Sequence, residues 1–316
     1  MKHSIVHLKL LLVAVIWGIS WPAGRILAQD IPPISAAWIR YVIAMACFLV
    51  YLKMTDNWRI PTRMEWKRIA LIGFFSTFVY QTLFMYGMKF TAAGDASLMI
   101  TFNPIFTALL AVPFLNEKMN WRLATGLICG LIGVTILFLY SPNVDIAFDD
   151  RLKGDLMIAG AALAWAITSI LQKKAMTSTA IDSQTPLSPL HLTVWASLIG
   201  LLFLTPWAGY ESYLYGMPQP SYSGWLAIIF LAILSTVFSY VWFADGIVTL
   251  GAGKTALYVY LVPPFGIISG WIILDEKLGW SLVASFVLIL IGVILAQQNP
   301  KNAQSEKILT NDNTLS

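Results

Sequence analysis

Long uncharged intervals, separated by short clusters of charged residues, constrain this chain more than any other feature. Asp, Glu, Lys and Arg are absent from 69–88, 96–116, 123–144, 255–274 and 278–300. A helix of about 20 residues crosses the roughly 30 Å hydrocarbon core of a bilayer. Five further apolar stretches lie at 8–28, 34–53, 156–172, 183–210 and 212–244. Because backbone groups in lipid must be satisfied within each segment, these intervals predict an all-α integral membrane protein with ten transmembrane helices.

Composition agrees with a membrane protein and argues against several other classes. Hydrophobic residues make up 58% of the 316 residues and charged residues only 11%, whereas soluble domains carry roughly 25% charged residues. The net charge of +4 is scattered along the chain and forms no basic face, so nucleic acid is not an expected partner. Metal-ligand spacings are lacking, and we expect no metal and no cofactor. The expected partners are a small-molecule substrate and the lipid bilayer, with no obligate protein partner.

The distribution of Lys and Arg predicts the orientation. With the N-terminus in the cytoplasm, fourteen of these residues fall on the cytoplasmic side and five on the outer side. This bias satisfies the positive-inside rule, so both termini are predicted to be cytoplasmic and the protein to lie in the cell (inner or plasma) membrane. The polar stretch 298–316 lacks periodicity and is predicted to be a disordered cytoplasmic tail.

The chain repeats itself after 159 residues. At this shift "GDASLMITFNPIFTALLAVPFLNEKMNW" lies over "GKTALYVYLVPPFGIISGWIILDEKLGW", with identical residues that include the Pro104/Pro263, Glu117/Glu276 and Trp121/Trp280 pairs. Each copy has five predicted helices, an odd number, so the second copy should be inverted relative to the first. Inverted repeats in a membrane bundle indicate alternating access around a site near the midplane.

These features resemble the EamA family of the drug/metabolite transporter superfamily. The resemblance rests on the order, spacing and duplication of a Pro-bearing fourth helix, a Glu-Lys turn and a following "IGV", together with "WGISWPAGRIL" and "IPPISAAWIRYVIA" near the start. It implies a first repeat at 8–140, a second at 154–297, a central cavity between them, and transport of small metabolites.

Within the superfamily the chain is similar to exporters of aromatic and neutral amino acids. Their cavity-lining aromatic residues map by pattern onto Tyr80-Gln81, the segment 99–103 and Trp165. Here Gln81 and Thr101 stand where the resemblance leads one to expect a histidine and an aromatic residue. The resemblance implies outward transport of amino acids. The alternatives are a different solute, such as a nucleotide-like or drug-like compound, and a membrane-embedded enzyme, for which no nucleophile–base pair is evident in the spans.

Matching polar stripes on the third and eighth helices are candidate cavity residues. Ser76, Thr77, Ser235 and Thr236 fit better as hydroxyls that join helices, which is common in lipid. Larger polar side chains fit poorly into tight helix contacts, which favours a cavity position for Tyr80, Gln81 and Tyr240. The complete predicted substrate-binding set is Tyr80, Gln81, Phe84, Thr101, Asn103, Trp165, Tyr240, Tyr260, Trp17 and Arg40.

Arg40 and several aromatic residues lie within spans rather than at the interfaces. Arg40 is about 9 Å along the second helix. It either binds a substrate carboxylate, snorkels to the outer interface or binds helix ends at "IPP". Trp17 and Trp165 occupy equivalent places in the two repeats and either stack on a substrate or pack the core.

Prolines and acidic residues that recur in both repeats suggest moving and structural parts. Pro104, Pro263 and Pro264 free backbone carbonyls within helices and are predicted hinges. Glu117 and Glu276 stand before helix N-termini, where an acidic residue complements the helix dipole, and are predicted to be structural. They also suggest a latch at each end of the bundle. Acidic residues are lacking near the span centres, so the sequence offers no obvious proton relay and favours facilitated movement of a near-neutral substrate.

Overall fold

The computed structural model describes residues 2–55, 59–115, 121–143, 145–182 and 188–297, and helices account for all regular structure among them. Glu117 and the segment 298–316 lie outside the described residues. The ten helices are α1 (Lys2–Asp30), α2 (Pro33–Met54), α3 (Arg63–Phe90), α4 (Ala93–Met99, Ile100–Phe102 and Asn103–Leu115), α5 (Trp121–Tyr140), α6 (Phe148–Asp182), α7 (Pro189–Tyr215), α8 (Tyr222–Leu250), α9 (Ala252–Ala256, Leu257–Leu261 and Val262–Leu274) and α10 (Trp280–Gln297).

Nine helices in the described part of the chain are long and apolar enough to span a bilayer, and Trp280–Leu295 forms a shorter apolar tenth. The all-helical membrane fold predicted from the sequence is therefore confirmed. Large apolar side chains remain exposed on the outside of the bundle, such as Ile128 on α5 and Val283 on α10. A lipid environment accommodates such surfaces, which water would not.

Local sequence signals set several helix ends. Thr62 and Glu65 form a reciprocal capping box at the start of α3, and the Ser188 and Ser221 hydroxyls cap α7 and α8. Gly251 ends α8 with a φ of 87°, which an L side chain rarely adopts. Helix α9 begins directly after it with Ala252–Ala256.

Irregular turns occur at equivalent places in the two halves. A π-helical segment covers Phe74–Val79 in α3 and Phe230–Phe238 in α8, and a 3-10 segment ends at Phe102 in α4 and at Leu261 in α9. Both pairs of end points are 159 residues apart. The repeat seen in the sequence is thus also present in the backbone geometry. Since π segments mark functional regions in many helices, their positions direct attention to the neighbouring side chains.

The helices that surround the candidate site come from both halves. Helix α1 packs against α9 and α8, α2 packs against α7 and α8, and α6 packs against α3 and α4. One large apolar core holds residues of α1, α2, α3, α4 and α8, and Trp17, Tyr80 and Tyr260 pack against it. Helices α5 and α10 pack mainly against each other.

Candidate functional site

Arg40 is the centre of a buried polar site between α2, α3 and α8. Its side chain is only 5% exposed. Its guanidinium donates to the Thr236 hydroxyl through Nη2 at 2.9 Å and Nε at 3.3 Å, and to Gln81 Oε1 through Nη1 at 3.3 Å. Arg40 therefore neither reaches the end of the bundle nor binds the helix ends at "IPP". All three acceptor contacts are to neutral groups.

Tyr41 extends this site and was not predicted from the sequence. Its hydroxyl accepts a hydrogen bond from Gln81 Nε2 at 3.0 Å and lies close to Tyr240. Gln81 and Tyr240 are equivalent residues in the two halves, since they are 159 positions apart. Each follows shortly after the end of a π segment. The two π segments therefore place equivalent residues of the two halves close to Arg40 and Tyr41 of α2. Thr236, interpreted from the sequence as joining helices, here binds Arg40.

Two chains of aromatic rings flank the polar site. In one, Phe84 lies 5.3 Å from Trp21, Tyr80 lies 6.0 Å from Phe84, and Trp165 lies 5.2 Å from Tyr80, measured between ring centroids. In the other, Tyr240 lies 6.2 Å from Trp17 and 6.5 Å from Phe48. Trp17 and Tyr80 pack against the large apolar core and Tyr240 packs against a second one, and these three side chains and Trp165 are only partly buried.

Helix α1 contributes polar groups to the same region. The Trp17 indole donates to the Ser235 carbonyl oxygen at 3.0 Å, and the Ser20 hydroxyl donates to the Ser235 hydroxyl at 2.7 Å. Ser235 therefore joins helices, as its position in the sequence favoured. The Trp21 indole nitrogen is buried and lacks a hydrogen-bond partner among the described residues. Because a buried donor without an acceptor is costly, Trp21 is a second group that a ligand could satisfy.

The remaining candidates lie elsewhere in the core. Thr101 is buried and donates to the Ser97 carbonyl oxygen, and Asn103 accepts from Thr107, so both engage partners within α4. Tyr260 is half-buried against the same apolar core as Trp17 and Tyr80. Pro104 follows the 3-10 segment of α4, and Pro263 and Pro264 follow that of α9. The prolines thus begin new α-helical segments, where a missing N–H is tolerated.

Glu276 lies at a helix N-terminus, although not that of the helix following it in sequence. Its carboxylate accepts from the backbone N–H groups of Ala93 and Gly94 at the start of α4, at 2.6 and 2.9 Å, and pairs with Arg25 at 3.0 Å. The contact joins α1, α4 and the turn between α9 and α10. Glu211, which sequence reasoning missed, similarly accepts from the N–H groups of Ile34 and Ser35 at the start of α2. The sequence did offer one signal for this residue: Glu211 is an isolated acidic residue between the long uncharged stretches 183–210 and 212–244.

Fold and site together define a multi-pass membrane transporter: helices that cross the bilayer surround a buried, polar, aromatic-lined site. The model of the EamA-like transporter family matches residues 4–139 and 152–297, and the chain belongs to that family. It is thus a multi-pass protein of the cell membrane, and the family predicted from the sequence is confirmed.

Known relatives carry transporter names. The chain is 26% identical over 294 residues to the uncharacterized transporter YoaV of Bacillus subtilis (strain 168), covering 92% of this chain and 96% of the relative. It is 27% identical over 296 residues to a probable amino-acid metabolite efflux pump of Salmonella typhimurium, with coverages of 90% and 92%. A solved crystal structure has the same fold, with a TM-score of 0.62 at 17% identity and coverages of 93% and 96%.

Proposed function

We propose that this transporter moves amino acids, aromatic or neutral, out of the cell. The observation that carries the proposal is the Arg40 guanidinium, which is buried and bound in the described residues only to neutral acceptors. Burying a cation without a counter-charge is costly, so a site of this kind favours an anionic ligand group. A substrate carboxylate fits, because guanidinium groups bind carboxylates through two parallel hydrogen bonds.

The aromatic chains account for the rest of the substrate. Tyr80, Phe84 and Trp165 offer apolar faces in one group of rings, and Trp17 and Tyr240 do so in a second. Such faces suit an apolar or aromatic side chain, and they can also hold an ammonium group by cation–π contact. The name of the Salmonella relative, an amino-acid metabolite efflux pump, agrees with this substrate class.

Alternating access between inverted repeats is the proposed mechanism. Support comes from the contact of α5 with α10. A Cβ built at Gly133 would lie 3.1 Å from the Ser285 carbonyl oxygen, and one at Gly292 would lie 2.5 Å from that of Gly126. Gly133 and Gly292 are equivalent under the 159-residue shift, and so are Gly126 and Ser285. Reciprocal contacts of this kind are what a two-fold relation between the halves produces. Pro104, Pro263 and Pro264 then serve as the hinges of the moving segments.

Counterflow in proteoliposomes tests the substrate class. Proteoliposomes that contain the purified protein and are loaded with unlabelled phenylalanine should take up radiolabelled phenylalanine. Unlabelled tryptophan or leucine outside the vesicles should compete with this uptake. Phenethylamine, which lacks only the carboxylate, should compete at least about tenfold more weakly, the loss expected for a charge-assisted hydrogen bond. Exchange of uridine monophosphate or ethidium without any exchange of amino acids would contradict the proposal and favour the alternative solutes.

The Arg40→Gln variant links the result to the site. It should bind phenylalanine more weakly and discriminate little between phenylalanine and phenethylamine. Arg122→Gln, at the start of α5, removes a cation remote from the site and is the matched control. Undiminished discrimination in folded Arg40→Gln protein would place the carboxylate elsewhere.

A further inference from the structure

A buried network of charged residues lies at the end of the bundle where α4 begins. Glu276 binds the α4 N-terminus and Arg25, as described above. In the first turn of α4, the Asp95 carboxylate is fully buried. It accepts from the Ser141 hydroxyl at 2.6 Å and from Asn143 Nδ2 at 3.3 Å. The network therefore connects α1, α4, the α5–α6 connection and the α9–α10 turn.

Asp155, near the start of α6, is the member of this network whose hydrogen bonding is incomplete. The residue is fully buried. Its Oδ1 accepts from the Thr91 hydroxyl at the end of α3, whereas its Oδ2 has no hydrogen-bond partner among the described residues. An ionised carboxylate with one oxygen unsatisfied in a dry environment is strongly unfavourable. Protonation removes the charge and with it most of this cost.

The charges around Asp155 lead to the same conclusion. Asp95, from α4, repels it, and Arg151, on its own helix, attracts it, while Thr91, which follows α3, contributes an uncharged hydroxyl. Arg151 donates to the backbone carbonyl oxygens of Asn143 and Phe138. The Lys277 backbone N–H donates to Asn143 Oδ1, and the Lys277 ammonium forms an ion pair with the exposed Asp145.

Counting formal charges shows that the network is neutral only with one proton bound. Three carboxylates, those of Glu276, Asp95 and Asp155, face two guanidinium groups, those of Arg25 and Arg151. We propose that Asp155, together with Asp95, binds a proton that holds this end of the bundle closed, and that loss of the proton opens it. This inference rests on the proposed transport function and adds a gate to it.

The geometry explains how the proton would act on the gate. Asp155 lies on α6, in the second half, and its neighbour Asp95 lies on α4, in the first. Ionisation of both carboxylates produces repulsion between the halves and a net negative charge that water stabilises better than the packed interior. Both effects favour separation and hydration of this end. The switch thus differs from a relay at the span centre, for which the sequence offers no acidic residue.

Counterflow at equal pH on both sides of the membrane tests the gate without a driving force. With phenylalanine as the probe, the rate for the wild-type protein should rise with pH, by up to about tenfold per pH unit where the site titrates, as binding of one proton requires. Asp155→Asn, which mimics the protonated form, should give a slow rate that is independent of pH. Asp149→Asn changes an exposed carboxylate on the same helix and should retain the wild-type profile.

Asp95→Asn provides a second variant should Asp155→Asn fail to fold. Removal of the neighbouring negative charge should let Asp155 ionise more readily and shift the profile to lower pH. A flat wild-type profile, or an unchanged profile in either variant, would overturn the proposal.

Hydrogen–deuterium exchange tests the same gate without a substrate. At one alkaline pD, peptides covering 91–100 should exchange faster in the wild-type protein than in Asp155→Asn, because the variant remains closed. Equal exchange would count against the proton site. If the wild-type protein exchanges no amino acid in counterflow, that result contradicts the proposed function instead. The hydrogen–deuterium exchange measurement then still tests the gate.

Discussion

Gly292 leaves no room for a side chain against Gly126, since a Cβ at Gly292 would lie 2.5 Å from the Gly126 carbonyl oxygen. The equivalent contact of Gly133 with Ser285 is slightly wider, at 3.1 Å. Close approach through small residues is the usual way in which membrane helices associate. The two contacts fix the packing of α5 on α10 at equivalent points of the two repeats.

Substitution of these glycines should therefore destabilise the bundle in a predictable order. Gly292→Ala should cost about 1–3 kcal/mol, because the new methyl group overlaps rigid backbone, and Gly133→Ala should cost less. Thermal unfolding of the detergent-solubilised protein measures the effect. Gly209→Ala is the control, since a Cβ there meets nothing within 4 Å. Equal melting temperatures for all three variants would contradict the packing described here.

The two ion pairs of α1 should differ in importance. Arg25–Glu276 has side-chain exposures of 17% and 8%, whereas Lys9–Asp245 has exposures of 33% and 47%. Glu276→Gln should destabilise the protein by about 1.5–3 kcal/mol, because charge-assisted bonds to the α4 N-terminus are weakened. Asp245→Asn should cost less than about 1 kcal/mol and lose even that effect at high salt. Melting temperatures at low and high salt test both expectations.

The latch role of the Glu-Lys turns can be tested with the double variant Glu117→Gln/Glu276→Gln. If the turns hold the ends of the bundle closed, their loss should alter the rate of counterflow as well as stability. Asp145→Asn, at an exposed pair near Glu276, is the matched control. A double variant with unchanged transport and stability would remove the latch from the mechanism.

Tyr41 should be needed for transport although the sequence did not single it out. Its hydroxyl accepts a hydrogen bond from Gln81, which binds Arg40, and lies close to Tyr240. Tyr41→Phe should reduce phenylalanine counterflow several-fold, because Gln81 loses a hydrogen-bond partner worth about 1 kcal/mol. Tyr213→Phe makes the same chemical change at a position that is 85% exposed and should have no effect. Full activity of Tyr41→Phe would limit the polar site to Arg40, Gln81 and Thr236.

The proline hinges should affect rate more than stability. Pro104→Ala and Pro263→Ala restore a backbone donor just after a 3-10 segment and favour a continuous helix. We expect slower counterflow with an unchanged or slightly higher melting temperature. Pro206→Ala, in the interior of α7, is the control for removing a proline from a spanning helix. Unaltered rates in both hinge variants would assign the prolines a static role.

The predicted orientation can be checked by fusing green fluorescent protein to the C-terminus of the full chain. Fluorescence in intact bacteria is expected, because green fluorescent protein folds in the cytoplasm but not when it is exported through the general secretory route. A fusion of alkaline phosphatase at the same place should be inactive. The opposite pattern would contradict the prediction that both termini are cytoplasmic.

Sequence reasoning selected several residues that the structure brings together, but it did not predict their contacts. Arg40, Gln81, Tyr80, Tyr240, Trp17 and Trp165 were predicted, and the structure places them around one region. Thr236 was interpreted as joining helices, and its hydroxyl does join α8 to α2, but the partner, Arg40, lies 196 positions earlier and this pairing was not predicted. Tyr41 and the incomplete hydrogen bonding of Asp155 gave no distinctive pattern. Their significance depends on which helix faces them, and a single sequence does not contain that information.

The sequence by itself determined the class of fold and its repetition. Spans follow from local hydrophobicity, since the bilayer demands about 20 apolar residues for each helix, and the 159-residue repeat is visible in aligned residues. The tertiary structure decided which polar groups meet. Placing Glu276 on the start of α4, or Gln81 and Tyr240 on Tyr41, requires the rotation and register of packed helices. In lipid those are set by close contacts between distant segments, and hydrophobicity barely distinguishes one face from another.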